Sequence, residues 1–338
     1  MGDFKKYKIA TLGSHTALQI LKGAKDEGFE TICICQKGKT EAYESYRVAD
    51  KIIELTDFSE YFDLEKKLMK ENAIIIPHGS FVSYLGFERV KDIKAMHYGN
   101  RNIIEWESDR DKERKWLLDA GLRLPNIIKT PEEIDRPVII KFHGADGGKG
   151  YFLANNPTEF HERMKAANIK KKFVIQEYIV GVPVYTHYFY SPLHDELEIM
   201  SFDKRYESNA DSIGRIAAKD QVGVDIRTSY TITGNVPLVV RESLLPTLFK
   251  MGRDVVDSSK KFVKGGLFGP FCLEAVIDPM LNIYVFEISA RIVAGTNPYI
   301  NGSPYTWLRY NEPMSTGRRL AREIKEAITS DRLDEVLG

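Results

Sequence analysis

Hydrophobic positions recur along this chain with two different periods, and the switches between them predict its elements. Lys8–Leu12 is a short apolar run read as a strand. Ala17, Ile20, Leu21 and Ala24 then fall at i, i+3, i+4 and i+7, the spacing of one buried helix face, and Gly28 supplies the stop. Thr31–Ile34, Ile52–Leu55 and Ala73–Ile76 read as further strands, with a helix over Phe58–Glu71 before the last of them. Strands alternating with helices imply a parallel sheet, and ligands of such sheets sit beyond the strand C-terminal ends. Two loops qualify, Gly13-Ser14-His15-Thr16 and Pro77-His78-Gly79-Ser80.

A helix over Ser108–Ala120 follows; Ser108-Asp109-Arg110-Asp111 fits a capping box and Gly121 closes it. Beyond Pro125 the texture becomes α+β. Strands are expected at Val138–Phe142, Tyr151–Ala154, Phe173–Glu177, Val184–Tyr190 and Leu197–Phe202, with a helix at Thr158–Ala167. Glu207–Asn235 has few clustered apolar residues and reads as an irregular excursion, a kind of segment that is usually functional. Arg241–Lys264 is a long amphipathic helix, Phe271–Ile277 and Ile283–Ile288 a hairpin, and Ser315–Ile328 a closing helix.

Composition narrows the class. The 338 residues correspond to about two domains. Lys+Arg and Asp+Glu balance at 48 each, which argues against nucleic-acid binding through bulk charge and leaves room for local basic pockets. No apolar run approaches the roughly 18 residues of a membrane helix, and Met1–Lys6 lacks a signal-peptide core, so a cytoplasmic protein is expected. Cys33, Cys35 and Cys272 are too few and scattered for a disulfide framework or a zinc site.

The C-terminal hairpin carries the most chemistry. Its turn, Asp278–Asn282, centres near the Met280–Leu281 bond, and pairing outward sets Ile277 against Tyr284 and Glu274 against Glu287. Like charges on cross-strand neighbours about 5 Å apart repel unless one is protonated or a cation lies between them. Scattered surface acids are usually just solvated. Here Phe271, Cys272, Leu273, Val285, Phe286 and Ile288 make both strands apolar on both faces, which favours a divalent-metal site.

A second feature is Val138–Gly150, where a buried strand delivers Lys141 into a loop with four glycines in seven residues. Such a loop can set backbone N–H groups against phosphate oxygens, although ordinary tight turns explain glycine runs as often. It is neither a Walker loop nor a dinucleotide fingerprint, because a strand follows it. Gln176-Glu177-Tyr178-Ile179-Val180-Gly181 is a strand crossover that by itself reads as a plain connection.

Taken in order, the strand lysine, glycine-rich hairpin, Gln-Glu-Tyr-Ile crossover, Leu-Glu strand and Glu-x-x-x-Arg strand resemble the ATP-grasp superfamily. Asp111-Lys112 and Leu117–Pro125 are similar to the helix and proline turn that precede its nucleotide region. The resemblance implies a Rossmann-like (pre-ATP-grasp) unit over residues 1–100. An ATP-grasp region would follow over 101–338, divided into a nucleotide-binding part near 125–205 and a C-terminal part near 206–338. It implies Mg²⁺, with Mn²⁺ able to stand in, on Glu274 and Glu287. ATP would lie on Lys141, Gly147, Gly148, Gln176, Glu177, Val180 and Glu207, and the catalytic charges would be Lys141 and Arg291. Many members carry Asn two residues after the second glutamate; Ser289 stands there, a poorer metal ligand.

Within that superfamily Gly13-Ser14-His15, Pro77–Phe81, Lys204–Glu207, Thr233-Gly234-Asn235 and Glu287–Ile292 resemble the archaeal formate-dependent imidazolecarboxamide ribonucleotide synthetases, over residues 7 to 335. The implied reaction formylates the ribonucleotide amine through formyl phosphate, releasing ADP and phosphate without folate. His15, Ser80 and Asn235 would contact the ribonucleotide. On residue type alone, structural packing of His15 has even odds, and Ser80 could equally cap a helix. No nucleic-acid or membrane partner is implied, and a homo-oligomer is expected. An ATP-grasp ligase with another substrate pair, or a nucleotide-binding paralogue without catalysis, are the alternatives.

Overall fold

The computed structural model describes residues 2–142, 151–167, 172–207, 210–222 and 231–338. Strands β1 (Lys8–Leu12), β2 (Glu30–Gln36), β3 (Lys51–Leu55) and β4 (Ala73–Ile75) form a parallel sheet in the order β3-β2-β1-β4. β1 and β2 are almost wholly buried, as strands covered by helices on both faces must be. Because β4 returns to the opposite side of β1 from β2, the strand order reverses between β1 and β4. A crevice opens outside the strand ends at such a reversal. The loops expected to hold ligand, 13–16 and 77–80, leave these two neighbouring strands. Cys33 and Cys35 are buried in β2, and burial pushes both thiols above their ordinary range, in keeping with a packing role.

Two antiparallel sheets follow. β5 (Ile127–Ile128), β6 (Val138–Phe142), β7 (Tyr151–Ala154) and β8 (Phe173–Glu177) pair in the order β5-β8-β6-β7. β9 (Val182–Ser191), β10 (Glu196–Glu207), β11 (Ile232–Leu238), β12 (Gly269–Ile277) and β13 (Ile283–Ser289) pair in the order β11-β10-β9-β12-β13. This larger sheet runs across residue 205, since β9 hydrogen-bonds to both β10 and β12. Helix Leu245–Phe262 covers one face of it, burying Leu248, Val255 and Val256 with Trp116 of helix Arg110–Asp119, whose indole donates to the Val255 carbonyl at 3.0 Å.

The closing helix, expected over Ser315–Ile328, runs Thr316–Thr329 with the Ser315 side chain capping it, and it packs on the first sheet's helix Ala17–Asp26. Contact is backbone to backbone: a Cβ on Gly23 would meet Arg318 N at 2.2 Å, and one on Gly317 would meet Gln19 O at 2.3 Å. Leu320, Ile324 and Ile328 are buried there with Ile20, Ala24 and Phe29. Each of the Leu, Ile and Phe side chains is worth about 1.5–3 kcal/mol of burial.

Three expectations need correction. Glu207–Asn235 is not irregular to its end, because Ile232–Leu238 is the edge strand β11, and the helices Ala210–Ile213 and Ala218–Gln221 precede it. An edge strand half-exposed along its length has no alternating pattern to betray it. The helix expected from Ser108 begins at Arg110, with Asp109 extended and its carboxylate accepting from Asp111 N and Lys112 N; Ser108 instead ends a separate helix, Ile103–Ser108. Finally, the hairpin turn pairs Ile277 with Ile283 and Val276 with Tyr284, one residue off the expected register.

Candidate active site

That slip is undone two residues later. A β-bulge between Glu274 and Ala275 leaves Phe286 without a partner, and beyond it Glu274 lies opposite Glu287 after all. Glu274 is buried. Its Oε1 pairs with Arg205 and accepts from the Ser289 hydroxyl at 3.3 Å, while its buried Oε2 has no partner among the described residues. Arg205, from β10, lies over the Tyr185 ring at 4.1 Å and so is fixed by β9 and β12 together. Glu287 opens onto a cavity, and its carboxyl is raised to about 7 by desolvation and by the Glu274 charge. An orphaned buried carboxylate oxygen beside a second, destabilised carboxylate is a donor set that a hard divalent cation satisfies.

More acid surrounds the pair. Glu113 is buried and accepts from Ile288 N at 2.7 Å; desolvation and Glu287 raise its carboxyl to about 9. Glu107 is raised by burial, with the Arg291 charge opposing, and it accepts from Ala290 N at 3.1 Å. Arg291 donates to Glu107 at 2.8 Å and to the Gly79 carbonyl at 3.2 Å. Among the described residues its buried Nε and Nη1 have no partners, which leaves N–H groups to hold an anion. Lys141, on β6, stands 5.4 Å from the Phe286 ring, so the smaller antiparallel sheet leans over β13 at the carboxylates. Burial lowers its ammonium, with Glu287 opposing.

A cavity of about 520 Å³ joins this acidic end to the crevice of the parallel sheet. His15, Gly79, Arg205, Asn235, Glu274, Glu287 and Arg291 all line it. His15 is left-handed (φ 54°) and lies over Gly79, where a Cβ would meet its Nε2 at 2.5 Å. Desolvation, with Arg291 and Arg205 nearby, lowers its imidazole to about 4, so it enters the cavity as a neutral ring and not as a positive charge. Ser80 is beside the cavity: its N–H donates to His78 Nδ1 at 3.2 Å, and its hydroxyl makes no helix cap.

The residues expected at the adenine end lie apart from this cavity. Gln176 and Glu177 are on β8, where the Glu177 carboxylate accepts from the Asn126 side chain at 2.8 Å. Val180, 69% exposed, sits in the crossover between the antiparallel sheets, and Glu207 ends β10 opposite Ile232. Gly147 and Gly148 lie outside the described residues. Sequence reading missed the roles of Arg205, His187, Asp203, Glu107, Glu113 and Asn297, each brought in by strand pairing or helix packing; only Arg205 stood inside a motif already noted.

A parallel-sheet crevice, two antiparallel sheets and paired carboxylates on adjacent strands define an ATP-grasp ligase. The fold comparison agrees: N5-carboxyaminoimidazole synthetase of Staphylococcus aureus, solved with ADP, superposes with a TM-score of 0.63 over 92% of this chain and 75% of that one, at 17% identity. Family models described as "Domain of unknown function (DUF1297)" and "Protein of unknown function (DUF1246)" match residues 158–338 and 9–128. The chain is 54% identical to the 5-formaminoimidazole-4-carboxamide-1-(beta)-D-ribofuranosyl 5'-monophosphate synthetase of Pyrococcus abyssi, over 98% of both chains. It is 48% identical to that of Methanocaldococcus jannaschii, over 99% of this chain and 97% of the relative. An IMP biosynthesis protein PurP from Thermococcus kodakaraensis superposes with a TM-score of 0.79 at 29% identity, over 98% of this chain and all of that one (100%). The chain belongs to the 5-formaminoimidazole-4-carboxamide ribonucleotide synthetase family.

Proposed function

We propose that this ligase of purine biosynthesis uses ATP to join formate to the amine of 5-amino-4-imidazolecarboxamide ribonucleotide. The observation that carries the reading is the shared cavity. Glu274 and Glu287 line it together with the two strand-end loops, through His15 and Gly79, and Arg291 joins the two sets by its bond to the Gly79 carbonyl. A phosphoryl donor at the carboxylates and an amine held by the loops would meet there.

A formate oxygen attacks the γ-phosphorus and ADP leaves. The amine then attacks the formyl carbon, and phosphate leaves with the oxygen that formate brought. Arg291 offers the N–H groups of Nε and Nη1 to the transferred phosphoryl oxygens, and Lys141 adds charge from the facing sheet. A divalent cation, Mg²⁺ or Mn²⁺, held by Glu274 and Glu287 would neutralise phosphate oxygens at the same place. His15, Ser80 and Asn235 hold the ribonucleotide, and ATP extends along Lys141, Gln176, Glu177, Val180, Glu207 and the loop of Gly147 and Gly148. Formate and ATP supply the one-carbon unit, so folate has no part. In this reading residues 1–100 form the ribonucleotide unit and 101–338 the ATP-grasp region, with a nucleotide-binding part near 125–205 and a C-terminal part near 206–338 that carries the metal carboxylates.

Formate labelled with heavy oxygen tests the route. Label should appear in inorganic phosphate in step with ADP, and ADP release should depend on the ribonucleotide, because a labile acyl phosphate must be kept from water. Formylated product with unlabelled phosphate would overturn it.

A further inference from the structure

Asp203 is 1% exposed, and both its carboxylate oxygens are used. Oδ1 accepts from His187 Nε2 at 2.7 Å and Oδ2 accepts from Asn235 Nδ2 at 2.7 Å. The 294–299 turn presses on this pair: a Cβ on Gly295 would meet Asp203 Oδ1 at 2.2 Å and His187 Nε2 at 2.5 Å. The pair therefore has no room to retreat. Both Asp203 oxygens therefore act as acceptors, one for each neighbour. The Asn235 amide consequently has one orientation, NH₂ toward Asp203 and carbonyl oxygen away from it. Among the described residues no side chain or backbone group donates to that oxygen, and Asn235 lines the cavity with His15 and Arg291.

We propose that Asp203 is a positioning residue that fixes Asn235 as a hydrogen-bond acceptor, so that the cavity selects a ribonucleotide presenting a carboxamide N–H there over one presenting a carboxylate. The inference rests on the ribonucleotide reading above and deepens it. A carboxylate in the carboxamide's place would set acceptor against acceptor, with the buried Asp203 side chain directly behind Asn235. A site built to accept from an N–H rejects the analogue lacking it far more strongly than pocket shape alone can.

Asp203→Asn reverses the arrangement without changing its shape. The new amide still accepts from His187 through oxygen, but it donates to Asn235, which must turn its own NH₂ to the cavity. The measurement is kcat/KM for the carboxamide ribonucleotide against its 4-carboxylate analogue. The native enzyme should prefer the carboxamide at least about 100-fold. In Asp203→Asn that preference should fall at least about tenfold, through the ribonucleotide KM, with the KM for ATP unchanged. Asn235→Ala, at a half-exposed edge-strand position, should lose the same preference and gives the answer if Asp203→Asn folds poorly. Both variants losing activity on the two ribonucleotides in equal proportion would overturn the inference and leave Asp203 a structural residue. A native enzyme using both ribonucleotides equally would overturn it while sparing the proposed function. A native enzyme that formylates neither would overturn the ribonucleotide reading itself.

Discussion

The imidazole of His15 lies parallel to that of His78, with ring centroids 5.5 Å apart and 3° between the planes. His78 is buried; its Nε2 donates to the Leu12 carbonyl at 3.0 Å and its Nδ1 accepts from Ser80 N. One neutral ring thus ties the end of β1 to the loop after β4, and His15 rests on it. A second tie comes from Asn297, whose amide donates to the His15 carbonyl at 3.1 Å. The left-handed backbone at His15 is held from both sides, which fixes where its ring can meet a substrate.

His15→Ala should therefore raise the KM for the ribonucleotide and leave the KM for ATP nearly unchanged in steady-state kinetics. Equal damage to both would point to collapse of the loop. Ser80→Ala should act in the same direction and more mildly, at about the 0.5–1.5 kcal/mol of one neutral hydrogen bond.

Glu287→Gln should separate function from stability. It removes repulsion with Glu274 and Glu113, so thermal unfolding of the metal-free variant should occur at or above the native temperature. Turnover should fall by orders of magnitude. Full activity would remove Glu287 from the site.

The helix contact at Gly23 and Gly317 leaves no space for a methyl group. Gly317→Ala should cost about 1–3 kcal/mol in urea denaturation by prising the closing helix from the first sheet. Gly38→Ala, where a Cβ meets nothing within 4 Å but φ is 78°, isolates the cost of backbone strain alone.

Burial holds His78 and His97 down to about 3, against about 6.5 for a free histidine. Below pH 6.5 the unfolded chain binds protons that the folded one refuses, so these two groups remove stability as pH falls. The loss is about 1.4 kcal/mol per pH unit for each histidine until pH nears 3. Among the described residues neither ring nitrogen of His97 has a well-aligned hydrogen-bond partner. His97→Leu should fold at neutral pH, and its stability should fall less steeply between pH 6 and 4 by that one histidine's share. An identical slope in denaturation series at pH 6, 5 and 4 would show that His97 is protonated in the folded state.

Much of this molecule is determined locally. The apolar runs of β1, β6 and β8 and the helix face of Ala17, Ile20, Leu21 and Ala24 declare themselves because strand and helix periods act over a few residues. Strand–helix alternation likewise exposes the loops of His15 and Ser80, since parallel strands must be joined by crossovers. The order of motifs carried the superfamily. Tertiary structure decided the rest. Glu274 faces Glu287 only because a bulge at Phe286 compensates a turn one residue out of register, and no turn sequence specifies both. Arg205 meets Glu274 across 69 residues, and Gln19 reaches Thr296 across 277, through sheet order and helix docking. Asp203 sets the Asn235 amide because β10 pairs with β11, an edge strand with no periodic signal. Hydrophobic period fixes which face of each element is buried; which distant element that face meets, and so which polar groups share a cavity, is fixed only when the sheets close.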